Sequence, residues 1–121
     1  MGNLLSSMRA KFENLRTLAF GSISDASYTA VGASFANPIR ILKISNTTDI
    51  NVFISFDGVL SNAMDVVVPN GFVLYDLSTN KASQAGALEI PSGSTVYVKR
   101  IGATTATIGD IYVTAIYASQ T

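Results

Sequence analysis

The chain has 121 residues, enough for one domain with a real core and too few for two. Charged residues make up only 13%, and eight bases balance eight acids, so a general attraction to nucleic acid is missing. With no Cys and no His, disulfides, thiolate chemistry and imidazole ligands or bases are excluded, and no apolar run reaches the roughly 18 residues that span a bilayer.

The first element in chain order is "MGNLLSSMRAKFENLR". Leu4, Leu5, Met8, Phe12 and Leu15 recur at intervals of three and four, so they share a stripe about 100° wide on a helical wheel. This spacing predicts an amphipathic α-helix over residues 3–16, with Asn3 or Ser6 as its cap. The basic residues sit within and after the apolar positions, unlike a secretory signal. Met1-Gly2-Asn3-Leu4-Leu5-Ser6 also fits the N-myristoylation pattern, but a capped helix explains it with fewer assumptions.

From Thr17 onward the period changes to two. "INVFISF" sets Ile50, Val52, Ile54 and Phe56 on one face and Asn51, Phe53 and Ser55 on the other. "STVYVKRI" opposes Val96 and Val98 to Tyr97 and Lys99. "DIYVTAIYA" opposes Ile111, Val113, Ala115 and Tyr117 to Tyr112, Thr114 and Ile116. Such alternation of β-branched and aromatic residues marks half-buried strands. "PIRILKIS" slips phase at Ile41-Leu42, as a bulge or a strand buried on both faces does. Turn residues at Asn37-Pro38, Asn46 to Asp49, Asp57-Gly58, Pro69 to Gly71, Pro91 to Gly93 and Gly102 divide the runs. The expected strands lie near 17–23, 27–33, 38–46, 50–56, 64–68, 71–77, 86–90, 94–101 and 109–118. Eight or nine short strands at this spacing predict an all-β fold, an antiparallel β-sandwich of jelly-roll type, preceded by the helix. The domain reading is a helical arm, 1–16, and a β-sandwich, 17–121.

The acids Asp25, Asp49, Asp57, Asp65, Asp76 and Asp110 fall mostly at strand ends, without calcium-loop spacing, so turn formation explains them better than metal binding. No pair of carboxylates is singled out for glycoside cleavage, and no base stands ready to activate a Ser or Thr. Asn46-Thr47-Thr48 reads as a hairpin turn before it reads as a glycosylation acceptor. The expectation is therefore a protein with no catalytic residues, no metal, no cofactor, no nucleic-acid partner and no membrane partner. Five Tyr and six Phe leave a carbohydrate-binding module as the reading from another class.

"ILKISNTTDINVFISFDG", "VVVPNGFVLYDLSTNK", "IPSGSTVYVKRIG" and "GDIYVTAIYA" together resemble small β-sandwich virion structural proteins of tailed bacteriophages. The matching residues are Asn46 to Asp49, Ser55 to Gly58, Pro69 to Asp76 and Thr95 to Tyr117, within a likeness covering roughly 17–118. The resemblance implies a non-enzymatic building block of the particle, assembled in the host cytoplasm and present in symmetric copies. Its partners are then itself and other virion proteins, in the head–tail neck or tail region, with capsid decoration as the alternative. The residues expected to meet those partners are Leu4, Leu5, Met8, Phe12 and Leu15 on the helix, with outward-facing Phe53, Tyr112 and Ile116 on the strands. A lone helix of about 14 residues is marginal in water, so its stripe is expected to dock on a neighbour.

Overall fold

The computed structural model describes residues 9–77 and 88–119. Among these residues nine strands follow in chain order: β1 (Arg9–Phe12), β2 (Arg16–Ala19), β3 (Thr29–Ala30), β4 (Ile41–Asn46), β5 (Val52–Ser55), β6 (Asp65–Val67), β7 (Gly71–Asp76), β8 (Tyr97–Arg100) and β9 (Asp110–Ser119). They form two antiparallel sheets. The first, sheet A, runs β1-β9-β4-β7, with β2 also paired to β9; the second, sheet B, runs β3-β8-β5-β6. With β1 and β2 taken as one interrupted strand, this is the two-sheet, four-plus-four order of a jelly roll.

The core lies between the sheets and follows the period-two pattern. Leu42 and Ile44 of β4, Ile54 of β5, Val98 of β8 and Ile111 and Val113 of β9 are fully buried. Their sequence neighbours Lys43, Phe53 and Tyr112 face away from it, as alternation requires. The phase slip at Ile41-Leu42 has a simple origin. Ile39 is held by a two-way bridge to Ile90, with both N–H···O distances 2.8 Å, and β4 starts only at Ile41. The chain therefore changes partner between two buried residues, and the count of two restarts.

The expected α-helix is not there. Among the described residues the only helical turn is a short 3₁₀ segment, Phe20–Ser22. Arg9, Ala10, Lys11 and Phe12 pair with Ser119, Ala118, Tyr117 and Ile116, while Arg16 to Ala19 pair with Val113 to Asp110. Residues 1–8 lie outside the described part, so Leu4, Leu5 and Met8 of the expected stripe do too. The physical reason is the ten-residue length of β9. Its free side presents a row of backbone donors and acceptors that a covering strand satisfies, and this outweighs a weak local preference for helix.

The cover is interrupted once. Between Phe12 and Arg16 the chain takes four steps, while between their partners Ile116 and Val113 it takes three, so one extra residue bulges out at 13–15. The bulge reverses the facing of the chain. Phe12 points outward with Ile116, whereas Arg16 lies opposite the buried Val113 and is itself buried. The strand expected at 86–90 reduces, in its described part, to the single bridge at Ile90, and residues 86–87 lie outside the described part.

Candidate functional site

Four of the carboxylates, those of Asp25, Asp49, Asp57 and Asp65, hold a turn or join two segments. Asp25 pairs with the Arg100 guanidinium at 3.0 Å. Asp49 accepts from the Thr107 N–H at 3.0 Å and its hydroxyl at 2.6 Å, tying the β4–β5 turn to the approach to β9. Asp57 accepts from the Ser55 hydroxyl, the Val59 N–H and the Asn62 amide. The bonds from Thr107 hold the Asp49 carboxyl below its ordinary range, and those from Asn62, Val59 and Ser55 do the same for Asp57. Both are stabilised anions, the opposite of a poised general acid. Asp65 accepts from the Tyr75 hydroxyl across the gap between sheets, and burial together with this bond pushes the phenol above its usual range. Among the described residues no three His, Cys, Asp or Glu side chains converge as metal ligands.

The surface offers a different kind of site. Large apolar side chains are exposed along the two opposite edges of sheet A. At the β1/β2 edge Phe12 is 66% exposed and Leu15, in the bulge, 56%. At the other edge Phe72 and Leu74 of β7 are 60% and 54% exposed. Beside β7 runs β6, the edge of sheet B, where Met64, Val66 and Val68 are exposed; Val59 and Leu60 of the β5–β6 loop are exposed as well. The turn that joins these two edges explains why they sit together. Gly71 N–H donates to the Val68 carbonyl at 3.0 Å, with Pro69 and the positive-φ Asn70 (58°) between them, the arrangement of a type II turn. A turn this tight leaves β6 in one sheet and β7 in the other, on the same flank of the sandwich.

The residues expected to meet partners are distributed unevenly. Leu4, Leu5 and Met8 are outside the described part. Phe12 and Ile116 face each other across β1 and β9 on the outer surface of sheet A, and Tyr112 lies four residues from Ile116 on the same face. The Tyr112 hydroxyl donates to Asp110 at 3.2 Å, and this bond raises the phenol's pKa. Phe53 is on the outside of sheet B, half-buried between Val66 and Lys99, whose ammonium stands 5.2 Å from its ring. The structure thus brings Phe12, Tyr112 and Ile116 onto one face and leaves Phe53 on the other.

Sequence reading passed over the β6–β7 flank, although a signal was present. "VVV" at 66–68 and "FVL" at 72–74 are apolar at three consecutive positions. A sandwich strand has only one inner face, so the outer two of each three must point outward or edgewise. Val67 is buried and Val73 half-buried, while Val66, Val68, Phe72 and Leu74 are exposed. Lys43 covers part of this flank, its ammonium 4.8 Å above the Phe72 ring.

No family model and no curated protein sequence matches this chain.

Proposed function

We propose that this chain is a non-enzymatic structural subunit of a tailed-phage virion, used in symmetric copies in the head–tail neck or tail. One observation carries the reading: the two opposite edges of sheet A are both apolar, and they are chemically different. A ring subunit meets two neighbours through two unlike patches, one on each side. A decoration protein needs a single footprint on the shell. The two-edged arrangement supports the ring over capsid decoration, and carboxylates committed to turns support a role without chemistry. The resemblance to virion proteins supplies the setting.

Docking in this reading uses sheet edges and outer faces instead of a helix. Phe12, Leu15, Tyr112 and Ile116 belong to one contact; Phe72 and Leu74, with Met64, Val66 and Val68 beside them, belong to the other. The test is a copy number. Quantitative mass spectrometry of purified particles against the major shell protein gives about a dozen copies or fewer for a neck or tail ring. Hundreds of copies would move the protein to the shell surface, and absence from the particle overturns the reading.

A further inference from the structure

We infer that the β1/β2 edge of one copy pairs with the β7 edge of a second copy, so that sheet A continues from subunit to subunit. This rests on the assembly reading above and adds the surface, the partner and the geometry of contact.

The two sheets treat their edges differently. Sheet B ends in β3, of two residues, and β6, of three, edges too short to template another strand. Among the described residues, sheet A ends in β7, with six residues, and in the four-plus-four residues of β1 and β2. Neither β1, β2 nor β7 contains Pro, and no Lys or Arg lies on β7. Proteins that keep a sheet edge apart from others blunt it with such residues or shorten it. Sheet B is blunted at both edges by shortness; in sheet A the β1/β2 edge carries Arg9, Lys11 and the bulge, and the β7 edge has neither Pro, Lys, Arg nor a bulge.

Strand direction fits a head-to-tail contact. Each neighbouring pair in sheet A is antiparallel, and four positions are occupied, so β1/β2 and β7 run in opposite directions. A second copy displaced sideways along the sheet therefore sets its β1/β2 antiparallel to the first copy's β7, the stronger pairing. Register carries apolar residues to the same level. Leu74 pairs with Lys43, Lys43 with Thr114, and Thr114 stands opposite the bulge that holds Leu15. One row further on, Asp76, Ile41, Ile116 and Phe12 are level. Leu15 of the second copy thus arrives beside Leu74, and its Phe12 beside Asp76.

Charge selects the same partner. The segment 57–76 holds Asp57, Asp65 and Asp76 and no Lys or Arg of its own, while Lys43 of β4 reaches over its Phe72 ring. The segment 9–19 holds Arg9, Lys11, Arg16 and Glu13; Arg16 and Glu13 pair internally, which leaves Arg9 and Lys11. The β1/β2 edge is the more basic of the two, which favours β1/β2 against β7 over β1/β2 against itself. Apolar surface is sufficient as well. The seven exposed side chains from Val59 to Leu74 present on the order of 500 Å², a large share of the roughly 800 Å² that one partner gives to a standard interface.

The experiment uses two full-length variants. Leu74→Lys places a charge on the β7 edge, and Leu15→Lys places one on the β1/β2 edge. In sedimentation analysis the unmodified protein grows in mass with concentration, and each variant alone stays monomeric at tenfold higher concentration. An equimolar mixture forms a 1:1 dimer and nothing larger, because the intact β1/β2 edge of one meets the intact β7 edge of the other. A monomeric unmodified protein, a variant that dimerises alone, or a mixture that stays monomeric overturns the inference. Circular dichroism confirms that both variants fold; Leu15→Gln and Phe72→Lys repeat the test if either does not. Particle copy number is independent of this result, so a protein absent from particles whose variants still form the 1:1 dimer overturns the proposed function alone.

Discussion

Arg16 Nη2 lies 3.1 Å from Glu13 Oε1, and both side chains are tucked beneath the edge of sheet A instead of standing in water. The bulge at 13–15 makes this possible by turning Arg16 inward. From there Arg16 donates to the carbonyls of Ala33, Asn14 and Ser34 and stacks its guanidinium 5.0 Å above the Phe35 ring. Glu13 in turn accepts from the N–H groups of Ala36 and Asn37 and from the Asn37 amide. One ion pair therefore fastens the β3–β4 loop to the edge strand. Burial pushes the Glu13 carboxyl up, but the bonds from Asn37, Ala36 and Arg16 outweigh it and hold the carboxyl below its ordinary value near 4.5.

Glu13→Gln should destabilise the fold by about 3 kcal/mol at pH 7, since it leaves a buried guanidinium without its counter-charge. A depressed folded pKa contributes stability that is present above the ordinary value and is lost as the pH falls through the folded one. Urea unfolding of both proteins at pH 7 and pH 3 should show the gap narrowing at the lower pH. A gap that is constant with pH would count against the ion pair.

Removing residues 1–16 deletes β1, Glu13 and Arg16 together and uncovers the outer edge of β9 from Val113 to Ser119, while Thr17 to Ala19 can still cover Tyr112 to Asp110. The melting temperature should fall by at least about 10 °C, or the chain should lose its β-type circular dichroism. An arm independent of the sandwich would leave the melting temperature unchanged.

Gly109 has φ of 94°, and a Cβ there would overlap the Thr47 carbonyl. That carbonyl belongs to a turn fixed by Thr47 N–H and Oγ1, which both donate to the Asp110 carbonyl at 3.0 Å. Gly109→Ala should cost about 2–4 kcal/mol, from strain and displaced backbone together. Gly21 has open space around it. Gly21→Ala should stay within about 1 kcal/mol of the original protein, and thermal unfolding of the pair checks the contrast.

Asn46 is fully buried at the end of β4, and its amide donates to the carbonyls of Ile50 at 2.8 Å and Val67 at 3.1 Å. Its oxygen accepts from the N–H and hydroxyl of Thr48. Asn46→Asp replaces the donor with a carboxylate oxygen facing two carbonyl oxygens, at a cost of about 3 kcal/mol at pH 7. Its folded pKa is raised, so the stability it retains is present at low pH and is lost as the pH rises. The variant should therefore be closer to the original protein at pH 4 than at pH 7 in denaturant titrations.

Much of this architecture was legible in the chain because alternation is a direct consequence of strand geometry. Ile50, Val52 and Ile54, then Val96 and Val98, then Ile111, Val113 and Ala115 were each set on one face by period alone and are buried, while Phe56 and Tyr117, set on the same faces, are half-buried. Turn residues at Asp57-Gly58 and Pro69 to Gly71 marked the strand ends, since their side chains or φ angles suit few other backbones. The edge flank of β6 and β7 was legible only in part. Two apolar triplets announced outward-facing apolar residues, but which strands lie at an edge depends on sheet order, and no single strand encodes that.

The amino-acid order by itself determined the inner faces of the strands β4, β5, β8 and β9, because each depends on contacts that repeat every two residues. Folding in three dimensions decided the fate of residues 9–16. Leu4, Leu5, Met8, Phe12 and Leu15 are spaced for a helix, yet a helix there would leave one side of β9 without hydrogen-bond partners. The demand for those partners comes from a strand nearly a hundred positions away, and no local spacing carries it.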